Sequence, residues 1–211
     1  MLIIIACLAA VSSMASFAIW PVFLVTLGPE WGLTNTEIGW ISGAYFLGYV
    51  LATPVLVGLT DVVDAKRVFV GGSLTTAVGS AGFALFAGDF WITAFFWGVV
   101  GAGLAGTYMP GLQILNARLP DSQRIRAVPF YTSCFGIGTG GSFLVNGLLL
   151  IHFDHHVAGW LGAFGGVMAA TLVQFLIRAK PVPQDDASTK RHPLDLRPAF
   201  RNRLALGYIF A

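Results

Sequence analysis

Long apolar runs separated by short polar stretches dominate the chain. Six can be read, at about 2–27, 37–59, 68–87, 90–117, 127–151 and 157–177, and none has a Lys, Arg, Asp or Glu in its interior. About 20 residues at 1.5 Å each are needed to cross ~30 Å of hydrocarbon, and every run is long enough. Lipid offers no partner to an unpaired backbone N–H or C=O, so such runs must be helices. A barrel would show strands of about ten alternating residues instead. The pattern predicts an all-α membrane protein of six transmembrane helices. The first run lacks a basic leading segment and exceeds the ~7–15 apolar residues of a cleaved signal, so it counts as a span.

Composition agrees with the pattern. Of 211 residues, 56% are hydrophobic and 10% charged, whereas a soluble domain carries roughly a quarter charged residues. The charges also separate by loop. Lys66 and Arg67 lie between spans two and three, and Arg118, Arg124 and Arg126 between four and five. Arg178, Lys180, Lys190, Arg191, Arg197, Arg201 and Arg203 follow span six, which accounts for all 12 basic residues. The other loops hold Glu30, Asp89, Asp154 and three histidines. Basic loops stay on the cytoplasmic side, so both ends are expected inside, in the inner (plasma) membrane of a bacterium. The net charge of +2 reflects this topology and contact with anionic headgroups; no nucleic-acid partner is implied. Cys7 and Cys134 fall inside spans and read as small packing residues.

Local signals divide the chain further. Thr34 and Glu37 have capping-box spacing ahead of span two. Gly39/Gly43, Gly98/Ala102/Gly106, Gly136/Gly140 and Gly162/Gly166 are small residues four apart, which let helices approach closely in lipid. Pro21, Pro54 and Pro110 sit within spans and can kink them. The expected domains are a six-helix bundle at 1–178, a cytoplasmic linker at 179–203 and the start of a seventh span at 204–211, where the chain turns apolar again.

The segment from Pro54 through Gly58, Asp61 and Asp64 to Lys66 and Arg67 resembles the loop 2–3 signature of the major facilitator superfamily, a glycine followed by Asp-Arg-x-Gly-Arg-Arg/Lys. Asp61 matches its aspartate, and Lys66 with Arg67 its basic end. Val62, Asp64 and Ala65 depart from it. The likeness extends through Gly101, Gly103, Gly106, Pro110 and Gly111 in span four and the long linker after span six. By that resemblance the chain is the N-terminal six-helix half of a twelve-helix secondary transporter, built from two inverted three-helix repeats. It implies transport of a small solute by alternating access, a second six-helix half as partner, no cofactor and no enzymatic activity. It also gives Asp61 a gating role against a helix of the other half, with Lys66 and Arg67 beside it and Gly58 at the turn.

Three family signatures are missing. The span-five glycines Gly136, Gly138, Gly140 and Gly141 lack the proline of drug/proton antiporters. Trp97 stands where many members carry a span-four arginine, and span two has none of the arginine used by nitrate-type carriers. This half is therefore expected to supply neither a buried cation for an anionic substrate nor a buried acid for proton coupling. The resemblance makes spans one, two, four and five border the solute path. Candidates there are Ser16, Trp20, Tyr45, Tyr108, Tyr131, Ser142 and Asn146, with Ser12, Thr107, Gln113, Asn116 and Gly138 on the same faces. The alternative is that these hydroxyls satisfy neighbouring backbone and the tyrosines merely pack. Two further readings remain: a six-helix protein without transport of its own, and a membrane metalloenzyme. The second rests on His152, His155 and His156, whose spacing resembles one histidine box of the membrane di-iron enzymes. Those enzymes need several such boxes on the cytoplasmic side.

Overall fold

The computed structural model describes residues 1–179. The expected seventh span at 204–211, all but the first residue of the linker, and the basic residues from Lys180 onward lie outside the described residues. Eight helices follow in order: α1 Leu2–Ser13, α2 Ile19–Glu30, α3 Asn35–Leu59, α4 Ala65–Phe86, α5 Phe90–Ala105, α6 Tyr108–Arg118, α7 Asp121–His152 and α8 His155–Leu176. Five stretches are long and apolar enough to cross a membrane: α3, α4, α5 with α6 taken together, α7 and α8. The shorter apolar helices α1 and α2 make up the first run.

Span one and span four are thus each interrupted, where the hydropathy pattern predicts a single helix. The cause is local. Pro21 is the third residue of α2 and Pro110 the third of α6. A proline lacks an N–H and its ring crowds the carbonyl four residues back, here that of Phe17 or Gly106, yet it is well placed in a first turn. Each span therefore stops and restarts just ahead of its proline. Tightened i→i−3 bonds carry the chain across, from Phe17 N–H to the Met14 carbonyl and Ile19 N–H to Ser16 in span one. In span four they run from Gly106 N–H to Gly103 and Thr107 N–H to Leu104. Such turns mark strain or a hinge within a helix. Pro54 and Pro129 sit inside helices that stay whole.

Helix starts follow the polar signals. The capping box forms as expected: Thr34 N–H donates to Glu37 Oε2 at 2.8 Å and Glu37 N–H to Thr34 Oγ1 at 3.3 Å. Asp64 and Asp89 cap α4 and α5 through Lys66 N–H and Ile92 N–H. α7 begins six residues before its apolar run, because hydropathy reports lipid contact and not where a helix starts. Its 32 residues reach about 48 Å.

The packing repeats. α3 lies on α5, and α4 on α5 and α6; in the second set α7 takes α1 and α2, and α8 takes α1. Exchanging spans one, two and three for four, five and six leaves this pattern unchanged, and the α4–α8 contact maps onto itself. α4 and α8 are both 22 residues long. Three spans are an odd number, so the second set enters from the opposite side, and the two repeats are inverted. Glycines make the closest approaches. A Cβ on Gly101 would overlap the Tyr45 carbonyl, and one on Gly72 would meet the Gly106 backbone at 2.7 Å. Gly162 and Gly166 likewise pack against Ser16 and Ser73. Gly39, Gly43, Gly136 and Gly140 instead face open space. They lie on α3 and α7, the least buried spans, while α4 is the most buried.

Candidate functional site

The interruption of span one frees backbone groups that α7 satisfies. Ser142 Oγ accepts from Ala18 N–H at 3.0 Å and donates to the Ala15 carbonyl at 3.0 Å. Asn146 Nδ2 donates to the same carbonyl at 3.2 Å and to Ser142 O at 2.8 Å. Both side chains are buried, and in a dry interior a lone amide or carbonyl costs about 1–3 kcal/mol. Ser16, also buried, lies in this turn against Gly162 of α8. These three candidates are brought together, and they hold the bend.

A second group forms at the span-four interruption. Tyr108 opens α6 and stacks on Tyr131 of α7, with ring centroids 5.9 Å apart at 25°. Phe135 meets Tyr108 edge-on at 5.0 Å. Tyr131 is buried and its hydroxyl donates to the Tyr108 carbonyl at 3.5 Å. Trp20 and Tyr45 belong elsewhere, in the main apolar cluster. Trp20 Nε1 donates to Ser42 Oγ at 3.0 Å and its ring stacks on Trp31. Tyr45 packs on Trp97 at 5.2 Å and Phe17 at 5.7 Å. Of the seven path candidates only Tyr108 keeps partial exposure.

An aromatic wall between the two interruptions was not singled out by residue type. Phe135, Thr139 and Phe143 lie four apart along α7, so they share one face. Phe143 is 44% exposed, and Phe17 from the span-one bend meets it at 6.3 Å. Tyr108 flanks the other end through Phe135. The eight-residue spacing of Phe135 and Phe143, with Thr139 midway, was the available signal, but aromatic pairs at helical spacing usually mean only core packing.

The face carrying loops 2–3 and 4–5 is cross-tied. One guanidinium nitrogen of Arg118 reaches both Asp64 oxygens, at 2.8 and 2.9 Å. Arg118 Nε also donates to the Arg178 carbonyl at 3.3 Å. Lys66 is buried and its Nζ donates to the Gln174 carbonyl at 2.8 Å, where a cation suits the C-terminal end of α8. Asp61 and Arg67 are exposed, and neither side chain has a hydrogen bond or ion pair among the described residues. Gly58 lies in the last turn of α3, its carbonyl accepting from Asp61 N–H. Asp64, which departs from the signature, is thus the residue that joins this loop to the end of span four.

On the opposite face, the His155 and His156 rings lie 4.1 Å apart, His155 is buried against Trp31 and Phe83, and His156 Nδ1 bonds the Ala84 carbonyl. Among the described residues no three His, Cys, Asp or Glu side chains are placed to share a metal ion. Cys7 and Cys134 are buried in one apolar cluster with Leu115 and Tyr131.

The family model described as Major Facilitator Superfamily matches residues 5–211. The niacin transporter NiaP of Acinetobacter baylyi is 28% identical over 151 residues, covering 72% of this chain and 34% of that protein. The gentisate transporter of Corynebacterium glutamicum is 24% identical over 168 residues, 80% of this chain and 37% of that protein. A probable sphingolipid transporter of Arabidopsis thaliana, spinster homolog 1, is 28% identical over 137 residues, 64% of this chain and 26% of that protein. The chain spans roughly a third of the length of these curated relatives.

Proposed function

Because the chain belongs to the major facilitator superfamily, we propose that it forms the N-terminal half of a secondary transporter that moves a small solute by alternating access. The observation that carries this reading is the interruption of spans one and four at matching places in the two repeats, beside one aromatic wall. Interrupted spans in corresponding positions are where transporters hold their solute. The partner is a second six-helix half, and the open glycine faces of α3 and α7 support that role, since small residues let further helices come close. The protein sits in a membrane; the reading places it in a bacterial inner membrane with loops 2–3 and 4–5 inside.

The solute passes along Phe17, Tyr108, Phe135, Thr139 and Phe143. Ser16, Trp20, Tyr45, Tyr131, Ser142 and Asn146 stand behind them and keep the wall in shape. This surface has no charged side chain, so it suits a planar aromatic ring, as in niacin and gentisate; a charge on such a solute needs its partner in the other half. Asp61 is the latch of the inward gate. Its free carboxylate suits the N-terminus of a helix in the second half, a contact worth about 0.3–1 kcal/mol. Gly58 shapes the turn, Lys66 anchors the loop to α8, and Arg67 flanks the latch.

The test is solute flux through the full gene product in proteoliposomes. Radiolabelled niacin, gentisate and a panel of unrelated small molecules are offered in turn. Saturable uptake of a ring-containing solute, with an apparent KM raised about 2- to 12-fold by Tyr108→Ala (one aromatic contact, ~0.5–1.5 kcal/mol), supports the reading. Correctly inserted protein with no saturable flux for any solute would sink it.

A further inference from the structure

α3 packs on α5 and hardly touches α4, its neighbour in sequence. The seam between α3 and α4 therefore opens as a groove of about 480 Å³, with Ala102 of α5 as its floor. One wall is Leu56 and Leu59 with their neighbours on α3, the other Val68, Gly71 and Thr75 on α4. The walls offer little polarity. The Thr75 hydroxyl is spent on the Gly71 carbonyl at 2.9 Å. At the loop end of the groove stands Arg67, exposed and without a hydrogen bond or ion pair among the described residues. The neighbouring Asp64 carboxylate is neutralised by Arg118, and Asp61, the loop's other carboxylate, does not line the groove, so the charged side chain at the mouth is the Arg67 cation.

We propose that this groove holds one anionic phospholipid, its acyl chain between α3 and α4 and its phosphate on Arg67. The chemistry fits in three ways. An apolar trough with a single cation at one end matches a long apolar chain with an anionic head. From Ala52 to Leu59 the groove runs about 10 Å along α3 at 1.5 Å per residue, roughly two-thirds of one leaflet of a ~30 Å core. Its mouth lies on the basic side of the protein, where anionic lipids attract Lys and Arg by about 1 kcal/mol each. This site is separate from the aromatic wall and stands whether or not the chain transports anything.

Gly71 supplies a clean probe, because a Cβ there meets nothing within 4 Å, whereas one on Gly72 would strike the Gly106 backbone. The purified full gene product is offered equal amounts of phosphatidylglycerol and phosphatidylcholine, and retained lipid is counted by native mass spectrometry. The expected result is at least threefold preference for phosphatidylglycerol. Arg67→Gln should bring it down to the phosphatidylcholine level, and Gly71→Leu should lower retention of both. A phosphatidylglycerol with a photoactivatable acyl chain, used on the unaltered chain, should label 52–59 and 68–75 above all other exposed helix faces. Unchanged preference in Arg67→Gln, or label spread evenly over the exposed faces of α3, α7 and α8, overturns the proposal. Cross-linking of this groove to a helix of a second copy or of the other half, with lipid excluded, overturns it as well.

Discussion

Ser142 decides more than its small size suggests, since one hydroxyl serves both an N–H and a C=O that a broken helix leaves open. Ser142→Ala leaves Ala18 N–H buried without its acceptor, and should lower stability to unfolding in detergent by about 1–3 kcal/mol. Thr139→Ala on the same helix only frees the Phe135 carbonyl it was bonded to, and should change stability by less than about 0.5 kcal/mol; equal effects would contradict the clamp. Asp64 and Arg118 form the other consequential pair. They are only 10% and 11% exposed, so a double-mutant cycle with Asp64→Ala and Arg118→Ala should return a coupling energy of about 0.5–3 kcal/mol, and additivity would show the contact to be idle. Sequence spacing correctly put Tyr131, Ser142 and Asn146 on one face of α7. It could not say what they touch, because the groups they serve exist only where span one breaks. Asp64 was legible only as a departure from a signature, since its partner lies 54 residues away.

At the scale of elements, glycine spacing in the sequence does not separate packed from open faces. Gly98/Ala102/Gly106 and Gly162/Gly166 lie in helix contacts, while Gly39/Gly43 and Gly136/Gly140 do not. Gly101→Leu should therefore drive α3 off α5 and destabilise the bundle by about 1–3 kcal/mol or more. Gly136→Leu should leave thermal stability within ~1 kcal/mol, having open space to enter and gaining helix propensity. A similar loss in both variants would mean the two faces do not differ. The spans themselves were readable because lipid demands long apolar runs. Their interruptions were not, because residues 14–18 and 106–107 are as apolar or small as their surroundings. Proline alone is an ambiguous sign, as Pro21 and Pro110 follow breaks whereas Pro54 and Pro129 are absorbed in whole helices.

For the whole molecule, the inverted repeat makes α4–α8 a contact between corresponding spans of the two three-helix sets. Its partners are far apart in the chain, the third span and the sixth. On α4 the hydroxyls of Ser73, Thr76 and Ser80 are buried and lack a hydrogen-bond partner among the described residues. They are covered by glycines of two helices, with Gly166 of α8 against the Ser73 backbone, Gly162 of α8 against Ser80, and Gly103 of α5 against Thr76. During synthesis Ser73 and Ser80 enter the bilayer well before α8, the helix that covers them, has left the ribosome. A chain halted ahead of His155 would keep Ser73 and Ser80 facing lipid, in the way a membrane quality-control protease or a holding insertase detects an orphan. Pulse-chase of a chain ending at Asp154 should show a half-life several-fold shorter than that of the whole chain. Co-expressing α8 as a separate segment should restore part of the difference, and equal half-lives would refute the idea. The same close fit that makes the finished bundle compact thus obliges it to pass through a vulnerable infancy, with its third span waiting for the sixth.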